Sequence, residues 1–547
     1  MATNITSVDR ETSPLQQRKQ RLRIAFLLLS FFTCLWIFFL CFNQLISYED
    51  PITRSTFTIQ GNIPVPVLEM QPKHPSNNLT AIIAHGFTGS KELMTSFGIE
   101  LARAGITAYL FDFPGHGESP ATFPNDISSP RVGQNNLAAL DKVVAYARTH
   151  MVANKPPDII LLGHSMGSVA VGDYAMAHAN EPDIVTTILV SPVGQENPTL
   201  QQPRNLLILA GKDDIPGAIS DSHRLVQKAC NLSRIQSTPV ECGDPTHGTG
   251  RRLSILPGLN HLTILNASNT FQEMLHWLQQ AYPNKVTLTE MQSNVRLFWL
   301  ICGVASILLS ILPLSILLAD LFKLHLPARS CSGIDIVIYN LYLLVGIAGA
   351  IGILYIWQPF SIIRLLLADY VTGYFFLVAL ITGLLLWPTR SFVPFPSIRQ
   401  LLPELLISVA LFLFLYITFG QIITFAWQRF SFTLPRLWHF AVIFLLILPF
   451  FLLDESVNRA YQERGLVRAI VSSLVSKAIL LGGLFLSLRL IPNLSFLSII
   501  LPVFFLLFLL LIVFSVLFYR NRRATLVTAL LCASMIAWSL SITFPIT

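Results

Sequence analysis

Charge is scarce in this chain. Asp, Glu, Lys and Arg make up 12% of its 547 residues, about half the share usual in soluble domains. So little charge excludes a chain that is soluble along its whole length. Nothing has the spacing of zinc ligands, no glycine-rich loop is built to cradle phosphates, and no basic-aromatic module of a nucleic-acid binder occurs. The reading is therefore of no metal, no organic cofactor and no nucleic-acid partner. Short-period repeats and low-complexity tracts are also missing, which excludes a solenoid or a disordered array. Cysteine is sparse. Of seven, only Cys230 and Cys242 fall in the N-terminal half beyond residue 46. They flank a proline-containing insertion and either close a loop in an oxidising compartment or stay as buried free thiols.

What is abundant is apolar sequence, 53% of the chain. It is unevenly spread. Residues 1–294 mix polar and apolar positions, and from about 295 onward the chain is a series of long apolar runs. A first run, 24–42, is long enough to span a bilayer and follows Arg18, Lys19, Arg21 and Arg23. It is longer than a signal-peptide core and leaves through Phe42-Asn43-Gln44 rather than small residues, which reads as an uncleaved signal anchor. The domain reading is 1–23 as a cytoplasmic N-terminus, 24–46 as the anchor, 47–285 as a mixed-composition domain, and 286–547 as a polytopic bundle of about eight helices. The candidate spans are 297–318, 334–357, 366–387, 402–427, 437–453, 469–491, 494–519 and 524–543.

Basic residues set the orientation. With a cytoplasmic N-terminus, the cytoplasmic segments hold Arg18–Arg23, Lys323, Arg329, Arg390, Arg399, Arg459, Arg464, Arg468, Arg520, Arg522 and Arg523. The opposite loops hold only Arg364, Arg429, Arg436 and, at a margin, Arg489. This bias predicts a multi-pass protein of the cell membrane with 47–285 on the extracytoplasmic side, and the loop pattern accounts for the net charge of +7. Few ionisable residues fall inside the spans. Lys477 lies deep, whereas Asp320, Asp369, Glu404, Asp454 and His439 fall near span ends, where headgroups or water are in reach.

The chemistry concentrates in 47–285. The apolar run 158–162 leads into Gly163-His164-Ser165-Met166-Gly167, and a helix-compatible segment follows. Strand, G-x-S-x-G turn and helix are the context that presents a serine Oγ at a sheet edge as a nucleophile. The run 205–210 ends in Gly211-Lys212-Asp213-Asp214, so either aspartate is offered by a strand-end loop. The run 252–256 is followed by Pro257-Gly258-Leu259-Asn260-His261. Serine, acid and histidine thus occur in the order a nucleophile elbow needs, with His261 as general base and the carboxylate orienting it. Upstream, the strand 80–84 leads into His85-Gly86-Phe87-Thr88-Gly89. The backbone N–H groups of Phe87 and Met166 are the expected oxyanion donors, and His85 reads as structural.

These motifs, together with Gly115-His116-Gly117-x-Ser119, resemble the α/β-hydrolase superfamily, most of all its monoacylglycerol-lipase, lysophospholipase and serine-aminopeptidase branch. The resemblance covers about residues 55–283. It implies an α/β-hydrolase fold beside an all-α membrane bundle, a Ser165–His261–Asp214 triad with Asp214 preferred over Asp213, and support from His85, Gly86, Gly163, His164 and Gly167. One departure stands out. Many relatives insert a helical cap after the strand following the elbow, but here residues 191–204 form only a short link, too short for a domain. The implied site is lidless and open. The implied activity is hydrolysis of a carboxylic ester, with an apolar acyl or lipid substrate and membrane lipids as the partners. A peptidase or acyltransferase would use the same triad. A transporter or scaffold with a hydrolase-like module is the non-enzymatic alternative.

Overall fold

The computed structural model describes residues 14–547 apart from 195, 289, 291–292, 325, 327–335, 358, 390–397, 426 and 492–500. Arg329 and Arg390, used above for orientation, lie outside the described residues.

The first half is built on a nine-stranded sheet: β1 (Ile52–Ile59), β2 (Val65–Pro72), β3 (Leu79–Ala84), β4 (Thr107–Phe111), β5 (Asp158–His164), β6 (Ile184–Val190), β7 (Leu206–Gly211), β8 (Val240–Cys242) and β9 (Arg251–Leu256). The order is β1-β2-β4-β3-β5-β6-β7-β9-β8. From β4 to β9 neighbouring strands are parallel, while β1, β2 and β8 add antiparallel edges. Strands covered on both faces carry continuous apolar runs, so the interior strands were readable as such. Helix α1 (Pro14–Ser47) precedes the sheet. Helices α2 (Thr95–Arg103) and α6 (Ser268–Ala281) cover one face, and α3 (Pro130–Thr149), α4 (Met166–Ala177) and α5 (Pro216–Ala229) cover the other. This is the α/β-hydrolase fold. The strand order reverses at β3 and β5, and in such sheets ligands bind at the carboxyl ends of the strands beside that switch.

The second half is helical: α7 (Ser293–Leu321), α8 (Ile336–Ile356), α9 (Ala368–Leu386), α10 (Ile398–Ile423), α11 (Leu434–Gln462), α12 (Leu466–Leu490), α13 (Leu501–Arg522) and α14 (Thr525–Thr543). Among the described residues, nine helices, α1 included, are long and apolar enough to cross a membrane. Helix α1 packs along α7, and α14 is enclosed by its neighbours, chiefly α11 and α10.

Two expectations need correction. Helix α11 does not end near 453 but runs on to Gln462, so Asp454 and Glu455 lie within a helix rather than at its end. Asp454 and Glu404 are fully buried. Asp454 accepts from Tyr339 Oη at 3.0 Å and pairs with Lys477. Glu455 pairs with Arg459 at 3.3 Å and accepts from Ser515 and from Thr528 Oγ1, the latter at 3.1 Å. The charges that looked like a helix terminus are matched, Asp454 across helices and Glu455 both by Arg459 one turn on and by Ser515 and Thr528 of other helices, so the helix does not need to stop there.

The halves also meet directly. Buried Arg436, in the first turn of α11, donates to the carbonyls of Gly115 at 3.1 Å and Gly117 at 3.0 Å. It donates as well to Ser541, Ile542 and Phe544 at the end of α14, at 2.7, 2.9 and 3.1 Å. Ile546 exchanges backbone hydrogen bonds with Phe123 and Gly115 at 2.7 and 3.0 Å. Arg296, at the start of α7, donates to Ser96 Oγ at 2.7 Å. The helical half therefore lies against the loops at the carboxyl ends of the strands, where the candidate site sits.

Candidate active site

Ser165 leaves β5 with φ of 52° and ψ of −118°, an unusual conformation for a residue other than glycine and a form of strain that collects at functional sites. The two flanking glycines allow it by close approach. A Cβ on Gly163 would lie 2.2 Å from the Gly167 carbonyl oxygen, and one on Gly167 would lie 2.5 Å from that of Ala84. The serine N–H donates to Val190 O at 3.0 Å, tying the turn to β6.

The structure brings Ser165, His261 and Asp214 together from the ends of β5, β9 and β7. His261 Nε2 lies 3.0 Å from Ser165 Oγ, and His261 Nδ1 lies 2.7 Å from Asp214 Oδ1. Asp214 also accepts from Ser191 Oγ at 2.5 Å and from the Ile215 N–H at 2.7 Å. Burial alone would push this carboxyl up, but the bonds from His261, Ser191 and Ile215 outweigh it and hold it below its ordinary value. Asp213 is exposed, its N–H donating at 2.9 Å to Leu259 O in the histidine loop. Ser191, just past β6, is a partner of the acid that sequence reading did not single out. A serine at the end of the strand between elbow and acid was the available signal.

The supporting histidines are neutral. His164 is buried, and desolvation and the neighbouring His261 bring its pKa down to about 3. Its Nε2 donates to His261 O at 3.1 Å, fixing the backbone of the loop. His85 is fully buried, its pKa lowered by desolvation. Its Nδ1 donates to Gly86 O at 2.7 Å and its Nε2 accepts from the Phe113 N–H at 3.1 Å. Both nitrogens are engaged by backbone, in keeping with a structural part.

Phe87 and Met166 line the same cavity as Ser165 and His261, a space of ≈ 490 Å³ with mostly apolar walls. Leu93, Ile127, Leu137 and Val169 lie on the hydrolase side. Trp427 and Thr543 come from the helical half. The link 191–204 holds no helix among its described residues, so no inserted cap is present there. The helical half nevertheless adds to the walls of the cavity through Trp427 and Thr543. Trp427 and Thr543 lie hundreds of positions from Ser165 in the chain, and no local pattern could have marked them.

Residues 75–231 match the family described as serine aminopeptidase, S33. That segment lies in an α/β-hydrolase domain. Similar solved structures include a CIB-like hydrolase from Thermoplasma acidophilum, 17% identical, covering 42% of this chain and 99% of its own, with a TM-score of 0.30. An esterase from Pyrococcus furiosus is 13% identical over 42% of this chain and 92% of its own, with a TM-score of 0.31. A soluble variant of monoglyceride lipase from Saccharomyces cerevisiae is 12% identical over 43% and 96%, also at 0.31. No curated protein matches the chain by sequence.

Proposed function

We propose that this protein is a membrane-integral serine hydrolase acting on carboxylic esters with an apolar acyl part. The observation that carries the proposal is the continuous hydrogen-bonded chain Ser165–His261–Asp214 opening on an apolar cavity. Ser165 Oγ attacks the acyl carbonyl while His261 Nε2 takes its proton. The carbonyl oxygen becomes an oxyanion held by the Phe87 and Met166 N–H groups. As the C–O bond breaks, His261 returns the proton to the leaving alcohol. Water then attacks the acyl-enzyme with His261 again as base, releasing the acid and free Ser165. Asp214 keeps the imidazole in one tautomer and stabilises its protonated form.

The membrane part of the proposal rests on the nine long apolar helices. Arg23 and Arg522 both pair with Asp320, at 3.7 and 2.6 Å, at the end of α7 away from the hydrolase domain. Lys323, Arg520 and Arg523 belong to that same end. Such clustering of basic residues supports a cytoplasmic location for it and an extracytoplasmic hydrolase domain. There the bonded Cys230–Cys242 pair, Cα atoms 5.9 Å apart, suits an oxidising compartment.

A fluorophosphonate probe applied to the purified full-length protein tests the chemistry. Labelling of Ser165, together with turnover of esters in preference to aminoacyl amides, is expected. Preference for the amides would make the protein a peptidase, and no labelling would remove the enzymatic reading. A membrane-impermeant protease on intact cells tests the orientation, with cleavage expected around residues 232–250.

A further inference from the structure

The loop that carries Phe87 is under strain. Gly89 N donates to Gly86 O at 3.0 Å, closing a tight turn with Phe87 and Thr88 at its centre. Thr88 has φ of 61°. A β-branched residue in this left-handed region is a conformational outlier and persists only where its surroundings impose it. What bears on the turn comes from the other half of the protein. The Gln428 side chain, in the loop between α10 and α11, donates its Nε2–H to the Thr88 carbonyl. Gln428 is 1% exposed, and its Oε1 has no hydrogen-bond partner among the described residues. Burying an amide with one end unsatisfied is costly, so simple packing is a poor account of this side chain. Its neighbours also bear on the sheet domain. Trp427 walls the cavity, and Arg429 pairs with Glu118 at 2.9 Å.

From this geometry we infer that Gln428 is a positioning residue for the oxyanion site, holding the strained Phe87–Thr88 turn from the membrane half, so that neither half alone contains a finished active site. This rests on the hydrolase reading above. Deleting an oxyanion donor typically slows turnover by about 10²- to 10³-fold. Loosening one without deleting it should cost less, about 10- to 100-fold.

The test uses full-length protein in detergent or nanodiscs, with a fluorophosphonate and a short water-soluble ester as probes. Gln428→Met keeps the size and loses the donor. It should label and turn over about 10- to 100-fold more slowly, with KM changed less than about twofold. Gln428→Glu, also without an N–H donor, serves as the second variant if the first does not fold and should slow the reaction at least as much. The deciding measurement is the double-mutant cycle with Thr88→Gly, because glycine adopts positive φ without strain. In the Thr88→Gly background, Gln428→Met should cost less than about threefold. Three results overturn the inference: both Gln428 variants react within twofold of wild type, the loss falls on KM alone, or the loss is the same with glycine at 88. Wild-type protein that does not label overturns the hydrolase reading and this one together, whereas labelling that depends on Ser165 but ignores Gln428 sinks this inference only.

Discussion

Two of the groups of buried ionisable side chains in this molecule, one taken from each half, are built differently. In the sheet domain the chain runs Ser191, Asp214, His261, Ser165, and its last oxygen lies at a cavity. In the helical half Asp454 meets Lys477 and Tyr339, while Glu455 meets Arg459, Ser515 and Thr528. There two acids face two bases, and their bonds close on one another. The difference teaches that a buried charge becomes chemistry when one end of its network is left for a substrate. A network matched at both ends fixes how helices pack.

The comparison is sharpened most strongly by Ser165→Ala. If the open-ended network is the catalytic one, folded variant protein loses ester turnover by about 10⁴- to 10⁶-fold and loses probe labelling. Next comes Asp214→Asn, expected to cost about 10⁴ in kcat by favouring the wrong histidine tautomer. Asp213→Asn should stay near wild type, and the reverse pattern would move the acid to position 213.

Lys477→Met probes the closed network. It leaves Asp454 buried without its cation, which typically costs about 3–5 kcal/mol of stability. Replacing both partners, Asp454→Leu with Lys477→Met, should recover most of that, because a well-packed apolar pair is often as stable as a buried ion pair. Detergent-solubilised protein followed by thermal unfolding measures both. A Lys477→Met variant of normal stability with lost activity would break the distinction drawn above.

The smallest effect is on acid stability. His164, His85 and His116 are buried with pKa values pressed below the ordinary 6.5 by desolvation. Below about pH 6.5 the unfolded chain takes up protons that the folded one refuses, so stability falls as pH falls. For His164 the window runs from 6.5 down to about 3, with a slope of at most ~1.4 kcal/mol per pH unit for each group. Asp214, depressed below 3.8, adds a loss of the same sign only in stronger acid. The apparent Tm should therefore drop between pH 7 and 5, and less steeply in His164→Gln. An equal slope in that variant would contradict the assignment.

Much of this was legible in the residues. Apolar runs marked the parallel strands because both faces of the sheet are covered. The elbow, acid and histidine could be named because each follows a strand directly, and a fixed chain order links them. The antiparallel edge strands β1 and β8 were not readable, since their burial alternates or is slight. The continuation of α11 past residue 453 was hidden by its charges, Asp454 above all, whose partners Lys477 and Tyr339 sit on other helices. Gln428 and Trp427 were invisible for a plainer reason. The hydrogen bond from Gln428 to Thr88 spans 340 positions, and pairing at that distance leaves no periodicity or motif to read.

Arg436 has a consequence for how the protein is made. The guanidinium binds carbonyls of Gly115 and Gly117 on one side and of Ser541, Ile542 and Phe544 on the other. A ribosome finishes the sheet domain about 240 residues before it reaches α14. At about 5–20 residues per second, roughly 10–50 s separate the two. Until α14 is made, Arg436 lacks the carbonyls of Ser541, Ile542 and Phe544 that hold its guanidinium on the far side, and the cavity lacks Thr543 as a wall. Synthesis itself thus acts as a timer. Nascent chains arrested before α14 should display a folded sheet domain but react sluggishly with a fluorophosphonate, and full reactivity should appear only as the last helix takes its place.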